Sequence, residues 1–364
     1  PNLARQGFHP MGWNPFLCLV TMQTIHSAKG ARKAMGTRFE VVLHGSQPLN
    51  WLQSVIEEVL DEIERIESQL SRYDSASQIA RLNRLGALQP VRMEPQIFNL
   101  LQQCRDLTEL TKGAFDITSG PLLRCWGFAD RDYRKPSQQS LEQAMECVGM
   151  HHVEFHPDHY SVSFDREGVS LDLGAVGKGY AMNCAREILQ DYEITSGIIH
   201  GGTSTVCAIG CPPEDDAWHV GIVRPEKDPA SPFSDSEALA NPATPRDLLS
   251  QIPLKNRSLS VSAVWGKYFQ QDGKNYGHVI DPRTGHPTQG IWLSALVGQD
   301  AMVTDALTTA MLVDGADLAK RLHTEDPALA WLIIQEEGDH TNYSTQAEGI
   351  LIGEHTLIEK QEAG

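Results

Sequence analysis

The first strong pattern along the chain is helical. Over residues 50–70, apolar side chains recur every three to four positions and acidic residues fill the opposite face, which predicts an amphipathic helix packed against a core. A second helix is predicted over residues 95–110, where a proline suits the first turn and Gly113 is placed to end the segment. Earlier in the chain, apolar residues alternate with other residues over 37–44, which predicts a strand with one buried face.

The second half of the chain is rich in strand patterns. Strands are predicted over residues 152–155, 160–164, 169–173, 197–200, 218–223, 259–264, 276–280 and 291–297, helices over 180–189, 303–313 and 316–322, and an apolar run covers 328–334. Because the strands come in hairpins and clusters, the pattern favours an α+β fold with mixed helices and antiparallel sheets over a doubly wound parallel sheet.

Two stretches break these patterns. Residues 1–32 show no clear period and are expected to form a poorly ordered N-terminal segment. Residues 225–253 combine several prolines with small polar residues, so this stretch is predicted to be a surface loop insertion rather than a domain boundary. No internal repeat of about 20–50 residues is present.

Composition and charge narrow the possible functions. The 364-residue chain has a formal net charge of −17, which argues against a nucleic-acid binder because such a protein needs a basic face. An anionic small ligand is still compatible, since backbone N–H groups and one or two lysines make a locally positive site. The seven cysteines are scattered without a CxxC pair, and no run approaches the ~18 apolar residues of a membrane span. The apolar stretch 16–20 is too short for a signal peptide, so the sequence leaves the compartment open.

The first candidate for chemistry is a glycine-rich loop at residues 171–180. A strand, this loop and a helix, in that order, place N–H groups at a helix N-terminus, which suits a phosphate. The loop is not a P-loop, because Lys178 is followed by Gly179 rather than by Ser or Thr. A plain structural turn is the alternative interpretation.

The second candidate is a pair of oxygen-bearing side chains at residues 304–310. In a helix, Asp305 and Thr309 lie at positions i and i+4 on one face. A carboxylate and a hydroxyl are hard oxygen ligands of the kind that magnesium prefers. The alternative is an ordinary helix start, with Thr304 as the cap and Asp305 in the first turn.

Two further segments carry weaker signals. His278 directly precedes an Asp-Pro-x-x-Gly turn, where it could face a pocket as a general base or simply be a hydrogen-bonded histidine. An aromatic–aspartate pair at Phe115 and Asp116 follows the predicted second helix. Such a pair either binds a nucleotide edge or forms a tight turn.

Taken together, these segments resemble the ApbE family of FAD:protein FMN transferases. The family's motifs appear in order as Met35-Gly-Thr37, Ser71-Arg-Tyr73, Ser77 to Asn83, Gly113 to Thr118, Trp126-Gly-Phe128, Asp172 to Tyr180, Gly201-Gly202, His278 to Gly285 and Asp305 to Ala310. No single motif is specific, but the ordered combination is. The resemblance implies an ApbE-like, T-fold-related α+β fold in which residues 33–358 form one catalytic unit.

The resemblance also implies roles for individual residues. Positions that line the family's FAD site correspond to Met35, Tyr73, Ala114, Phe115, Asp116, Asp172, Lys178, Gly201 and Gly202. The family's magnesium ligands correspond to Asp305, Thr309 and the backbone carbonyl of Ala175, and His278 matches the histidine proposed to help deprotonate an acceptor threonine. The implied activity is magnesium-dependent transfer of FMN from FAD to a threonine of a target flavoprotein, with AMP as the leaving group.

The chain departs from the family pattern at several positions. Thr203 follows the Gly-Gly pair where Asn or Asp is usual, and Val264-Trp265-Gly266 replaces the usual Thr-Ser-Gly. The lipoprotein cysteine of exported members is also absent from the pattern around Cys18. Two alternatives therefore stay open: an FAD pyrophosphatase that releases FMN and AMP to water, and a non-catalytic FAD-binding protein.

Overall fold

An eight-stranded antiparallel sheet organises the chain. The computed structural model describes residues 24–223, 248–264, 268–272, 274–337 and 342–352. The strands are β1 (His26–Ala34), β2 (Thr37–Gly45), β3 (Val91–Arg92), β4 (Val153–His156), β5 (Ser161–Phe164), β6 (Ser196–Gly201), β7 (Thr205–Ile209), β8 (Trp218–Val223), β9 (Leu248–Leu254), β10 (Ser258–Ala263), β11 (Tyr268–Gln271), β12 (Lys274–Gly277), β13 (Ile291–Gly298), β14 (Ala330–Glu337) and β15 (Asn342–Glu348). The helices are α1 (Leu49–Leu70), α2 (Gln78–Leu85), α3 (Pro95–Leu110), α4 (Gly120–Cys125), α5 (Gln138–Met145), α6 (Gly177–Asp191) and α7 (Ala301–Glu325).

The large sheet has the strand order β1-β2-β6-β7-β10-β13-β14-β15. Helices α1, α6 and α7 cover one face and share the larger hydrophobic core with it. The β8–β9 hairpin packs in a second hydrophobic cluster with residues of β6, β7, β10, β13 and β14. Smaller sheets, β3-β5-β4 and β11-β12, lie outside the large sheet. This arrangement confirms the predicted α+β class with antiparallel sheets.

The segments with the clearest period fold as predicted. Helix α1 buries its apolar stripe, and helix α3 begins at Pro95 and ends at Leu110. The predicted hairpin forms from β4 and β5. The two helices predicted near the C-terminus are the two halves of α7, which kinks at Gly315, where φ is 69° and ψ is −154°. No helix of the described residues is both long and apolar enough to cross a bilayer.

The prediction for residues 1–32 is wrong over its last part. Residues 26–34 form the edge strand β1, and residues 1–23 lie outside the described residues. The inward positions of β1 hold small or charged side chains, so no apolar alternation marks the strand: Ala28 and Ala34 are buried, and a Cβ at Gly30 would stand 2.5 Å from Ile56. Arg32 instead forms ion pairs with three carboxylates of α1, those of Glu57, Asp61 and Glu64.

The surface-loop prediction for residues 225–253 is also wrong at its end. Residues 248–253 belong to β9, which pairs with β8 and buries Leu249 and Ile252. The prolines hide this strand in the sequence, because Pro253 lies within β9. Among the described residues this sheet has two strands, so each is an edge strand, where a missing N–H is tolerated. Residues 224–247 lie outside the described residues.

Two strand predictions need correction near the site. Residues 169–173 are extended but form no strand, because the N–H and C=O of Leu171 bond to the side-chain amide of Asn83 instead of a neighbouring strand. The strand predicted over residues 276–280 is β12, which ends at Gly277. Beyond it, Ile280 makes an isolated bridge to Pro287 that closes the Asp-Pro turn.

Helices α6 and α7 come into direct backbone contact at Gly179. A Cβ at this position would overlap the backbone carbonyl oxygen of Ala301 and stand 2.7 Å from the Cα of Met302. Only glycine lets the first turn of α6 lie directly on the first turn of α7.

We expect Gly179→Ala to destabilise the protein by about 1–3 kcal/mol, because the added methyl group meets rigid backbone rather than a flexible side chain. Urea denaturation followed by far-ultraviolet circular dichroism measures the change in unfolding free energy.

The matched control is Gly177→Ala, two residues earlier in the same helix. Its Cβ would stand 3.6 Å from Leu70, which is ordinary contact, so the change should be neutral or stabilise by up to ~1 kcal/mol through helix propensity. Equal destabilisation of both variants would contradict the close approach at Gly179.

Candidate active site

The candidate site is built around a buried carboxylate on α7. Asp305 is 3% exposed and accepts two hydrogen bonds. The Gly179 N–H donates to its Oδ2 at 3.0 Å, and the Thr205 hydroxyl donates to its Oδ1 at 3.2 Å. The Gly179 N–H lies in the first turn of α6, where it has no partner within its own helix. Asp305 therefore caps α6 from a neighbouring helix.

Burial makes this carboxylate costly to ionise. Desolvation raises the pKa of Asp305, while the nearby Lys178 ammonium and the two hydrogen bonds lower it. Thr309 lies one helical turn further along, half-buried, and its hydroxyl donates to the Asp305 backbone carbonyl at 3.4 Å. Each Asp305 oxygen accepts one of these two hydrogen bonds and keeps a lone pair. The Asp305 carboxylate, the Thr309 hydroxyl and a loop carbonyl are hard oxygen donors of the kind that magnesium takes.

A row of buried hydroxyls fixes α7 on the sheet. Thr304 bonds to Ser260 of β10 at 2.8 Å, and Thr308 bonds to Ser262 of the same strand at 2.9 Å. Ser294 of β13 donates to the Thr308 carbonyl at 2.7 Å. These contacts flank Asp305 on both sides in sequence and set the rotation of the helix. The predicted alternative, in which Thr304 caps the helix, is wrong, because α7 is capped by Asp300.

The glycine loop differs from the predicted phosphate cradle. Its backbone N–H groups at Gly174, Val176, Gly177, Gly179 and Tyr180 donate to protein acceptors. An anion at this loop would therefore rely on the half-buried Lys178 side chain more than on these amides. The sequence predicted that the backbone amides bind a phosphate. A strand, a glycine loop and a helix follow in the same order whether the amides face a ligand or bond within the protein.

One arginine joins two residues that the resemblance assigns to the FAD site. Arg72 forms an ion pair with Asp172 at 2.8 Å, and its Nη2 donates to the Tyr73 hydroxyl at 2.7 Å. Its guanidinium also stacks on the Tyr73 ring, 4.7 Å from the centroid. The Asp172 carboxylate accepts the Gly174 N–H as well. Sequence reasoning missed Arg72, because the pair spans a hundred positions and no local pattern reports it.

Asp116 is engaged within the protein. Its Oδ1 accepts the N–H and hydroxyl of Thr118 at 2.8 and 2.6 Å, and its Oδ2 accepts the Met150 N–H at 3.2 Å. Burial raises the pKa of Asp116, while the hydrogen bonds from Thr118 lower it. These hydrogen bonds form the tight turn that is one of the two interpretations of the Phe115–Asp116 pair. The side chains of Ala114 and Phe115 lie in the hydrophobic core, so their predicted contacts with FAD stay a prediction.

Three further predicted residues meet at one end of the sheet. Met35 lies in the β1–β2 turn, with φ 50°. Gly201 ends β6 and pairs with Phe39, and the Gly202 N–H donates to the Arg38 carbonyl at 3.0 Å. Gly202 has φ +66° and no room for a Cβ beside Thr37.

His278 lies directly after β12. It is half-buried, and its ring centroid is 6.5 Å from that of Phe128. The turn that follows is held by Trp126, whose indole N–H donates to the Gly285 carbonyl at 2.8 Å. The predicted Trp-Gly-Phe motif thus supports the histidine turn.

Comparison with known proteins identifies the family. The family model described as ApbE family matches residues 35–333. The chain belongs to the ApbE family. The FAD:protein FMN transferase of Escherichia coli (strain K12) is 26% identical over 329 residues, which cover 88% of each chain. That of Klebsiella pneumoniae (strain 342) is 25% identical over 284 residues, 77% of this chain and 83% of the relative.

Solved structures of ApbE proteins share the fold. The crystal structure of the ApbE protein from Thermotoga maritima MSB8 is 29% identical, with a TM-score of 0.74, and the match covers 88% of this chain and 96% of that one. The flavin transferase ApbE from Vibrio cholerae, at 20% identity, has the same TM-score of 0.74 and shows the fold alone. The predicted ApbE-like fold is confirmed.

Of the three departures from the ApbE pattern, the one around Cys18 lies outside the described residues. Thr203 lies in the turn between β6 and β7, next to Gly202. Val264 follows β10, and its N–H donates to the Trp292 carbonyl at 3.1 Å. Trp265 and Gly266 lie outside the described residues.

The Arg72–Asp172 ion pair should be energetically coupled, because the two side chains are only 16% and 14% exposed. We expect a double-mutant cycle of Arg72→Ala and Asp172→Ala to give a coupling free energy of about 1 kcal/mol or more in chemical denaturation. The exposed Arg38–Glu40 pair, whose side chains are 53% and 40% exposed, is the control and should give less than about 0.5 kcal/mol. Equal coupling free energies in the two pairs would contradict the expectation that burial strengthens the Arg72–Asp172 ion pair.

Proposed function

We propose that this chain is an FAD:protein FMN transferase that uses magnesium and a threonine of a target flavoprotein as acceptor. The observation that carries the proposal is the buried Asp305 carboxylate, held beside Lys178 at the glycine loop, in a chain whose relatives bear that activity in their names. A buried carboxyl group is costly for a protein interior, and one with a raised pKa beside an ammonium group is typical of a functional site.

In this proposal the residues act through position and charge. The Lys178 ammonium binds the FAD pyrophosphate, and Asp305, Thr309 and the Ala175 carbonyl hold magnesium, which when bound supplies further neutralisation of the phosphates. Asp172 and Tyr73, aligned by Arg72, contact the FAD. The remaining predicted FAD residues, Met35, Ala114 to Asp116, Gly201 and Gly202, shape the pocket through backbone and packing.

The group transfer itself exchanges one phosphorus–oxygen bond for another. The acceptor threonine oxygen forms a bond to the FMN-side phosphorus, the bond from that phosphorus to the bridging oxygen breaks, and AMP leaves with the bond electrons. His278 takes the proton from the acceptor hydroxyl as general base. If water replaces the hydroxyl, the same residues give free FMN and AMP, so hydrolysis is the competing outcome to measure.

The proposal predicts a magnesium-dependent release of AMP. Incubation with FAD and magnesium should give AMP by chromatography and a candidate threonine peptide heavier by one FMN group by mass spectrometry. Chelation should stop both, and added magnesium should restore them. Asp305→Ala should abolish turnover, because the site loses its charged ligand.

Thr309→Val is the graded comparison, since it keeps the shape, removes only a neutral ligand and should impair turnover less than Asp305→Ala. Near-normal activity of Asp305→Ala at limiting magnesium would place the metal elsewhere. AMP release with free FMN and no labelled peptide would favour the pyrophosphatase, and FAD binding without AMP would favour the binding protein.

His278→Ala should lower the transfer rate by about 10²–10⁴-fold, the usual cost of losing a general base. FAD affinity, measured by calorimetry, should stay within about threefold, because the base acts on the acceptor and not on the cofactor. Equal losses of affinity and rate would refute the assignment of His278 as base.

A further inference from the structure

Arg283 is held between two carboxylates. Its Nε donates to Asp281 Oδ1 at 2.9 Å and its Nη2 to Asp281 Oδ2 at 3.0 Å. The same guanidinium reaches Asp314, with Nη2 to Oδ1 at 2.6 Å and Nη1 to Oδ2 at 3.3 Å. These carboxylates raise the pKa of Arg283, with Asp281 the larger cause. We call this set of three residues the Arg283 clamp.

The clamp joins two parts of the site that are far apart in sequence. Asp281 lies three residues after His278, in the turn that follows it. Asp314 is the last residue of α7 before the kink at Gly315, on the half-helix that carries Asp305. The fork geometry fixes both distance and orientation, because each carboxylate is engaged by two nitrogens.

The clamp also contacts the turn that follows α3. Gly113, with φ +82°, lies against the Arg283 side chain, where a Cβ would stand 3.3 Å from Arg283 Cγ. The Cγ and Cδ atoms of Arg283 therefore lie beside the segment that leads to Asp116. The side chains of Arg283, Asp281 and Asp314 are 37%, 17% and 28% exposed, so the ion pairs are partly shielded from water.

We propose that Arg283 is a positioning residue, which together with Asp314 fixes the histidine turn relative to the half of α7 that carries Asp305. The inference rests on the proposed function for its kinetic consequence. Without the clamp, the turn keeps its local bonds, since the N–H groups of Thr284 and Gly285 donate to the Asp281 carbonyl. What is lost is the tie between that turn and α7.

The first measurement reads His278 directly. Protein labelled with ¹⁵N-histidine gives imidazole signals in the nuclear magnetic resonance spectrum, and the loss of one signal in His278→Ala assigns it. We expect Asp314→Ala and Arg283→Lys to shift or broaden the His278 signal, since lysine cannot reproduce a fork. Asp317→Ala is the matched control, because Asp317 is exposed on the same helix and loses the same charge. An unchanged His278 signal in both clamp variants would overturn the inference.

The second measurement is a kinetic cycle. In the wild-type background, Asp314→Ala should lower the transfer rate by about 10–100-fold, as small misplacements of catalytic groups do. In the His278→Ala background it should lower the residual rate by less than about twofold, because no base is left to position. FAD affinity should stay within about threefold in every variant. Equal losses in both backgrounds would indicate a general structural role and would also overturn the inference.

The two measurements separate this inference from the proposed function. A wild-type protein that neither cleaves FAD nor labels the peptide would refute the proposed function, and the His278 signal would still decide whether the clamp holds the turn. A wild-type protein that transfers FMN, with clamp variants that behave like Asp317→Ala, would refute the positioning role alone.

Discussion

The site depends on one contact, the approach of α6 to α7 at Gly179. Because no Cβ stands there, the first turns of the two helices touch, and the Asp305 carboxylate reaches the Gly179 N–H. The same approach brings Lys178 close enough to lower the pKa that burial raises. If the helices stood further apart, Asp305 would lose a donor and a neighbouring charge together. The close packing of the two helices therefore also determines the electrostatic environment of Asp305.

Helix α7 serves the core and the candidate site at once. Its inner face carries the hydroxyl contacts to β10 and β13, and the hydrophobic core surrounds them. Buried polar networks are stabilising only when every member is satisfied. Here the hydroxyls pair with each other or with backbone, and the carboxylate between them is supported by Gly179 and Thr205. The candidate site is therefore held rigid by the same contacts that pack α7 on the sheet.

Much of the fold was readable from the sequence, and the failures have physical reasons. Helices α1 and α3 were predicted to within a residue at each end, because burial of one face imposes a period on the sequence. The pattern does not predict strand β1, because β1 contacts α1 through small residues and an arginine rather than through alternating apolar side chains. It does not predict β9, because the prolines in and before this strand are typical of a loop.

The site was predictable only where its residues share a motif. Asp305 and Thr309 lie one helical turn apart, so the local sequence is enough to predict that they share one face of the helix. Thr205 and Arg72 each have a partner 100 positions away, and Arg283 contacts Asp314, 31 positions further along. No local pattern predicts contacts of this range. Asp116 lies in a local motif, and its carboxylate caps the turn that follows it, so its predicted contact with FAD stays a prediction. Resemblance located the segments; the contacts show how they are joined.

The edge strand β1 bears on how copies of this chain meet one another. It lies at the end of the large sheet, where an unpaired backbone edge is a template for another strand. Lys29 and Lys33 stand exposed along it, in a chain that is otherwise strongly acidic. If the β1 edges of two copies came together, the lysines of one copy would lie close to those of the other and repel them. The chain thus resists edge-to-edge aggregation at a strand that buries only two small apolar side chains, Ala28 and Ala34.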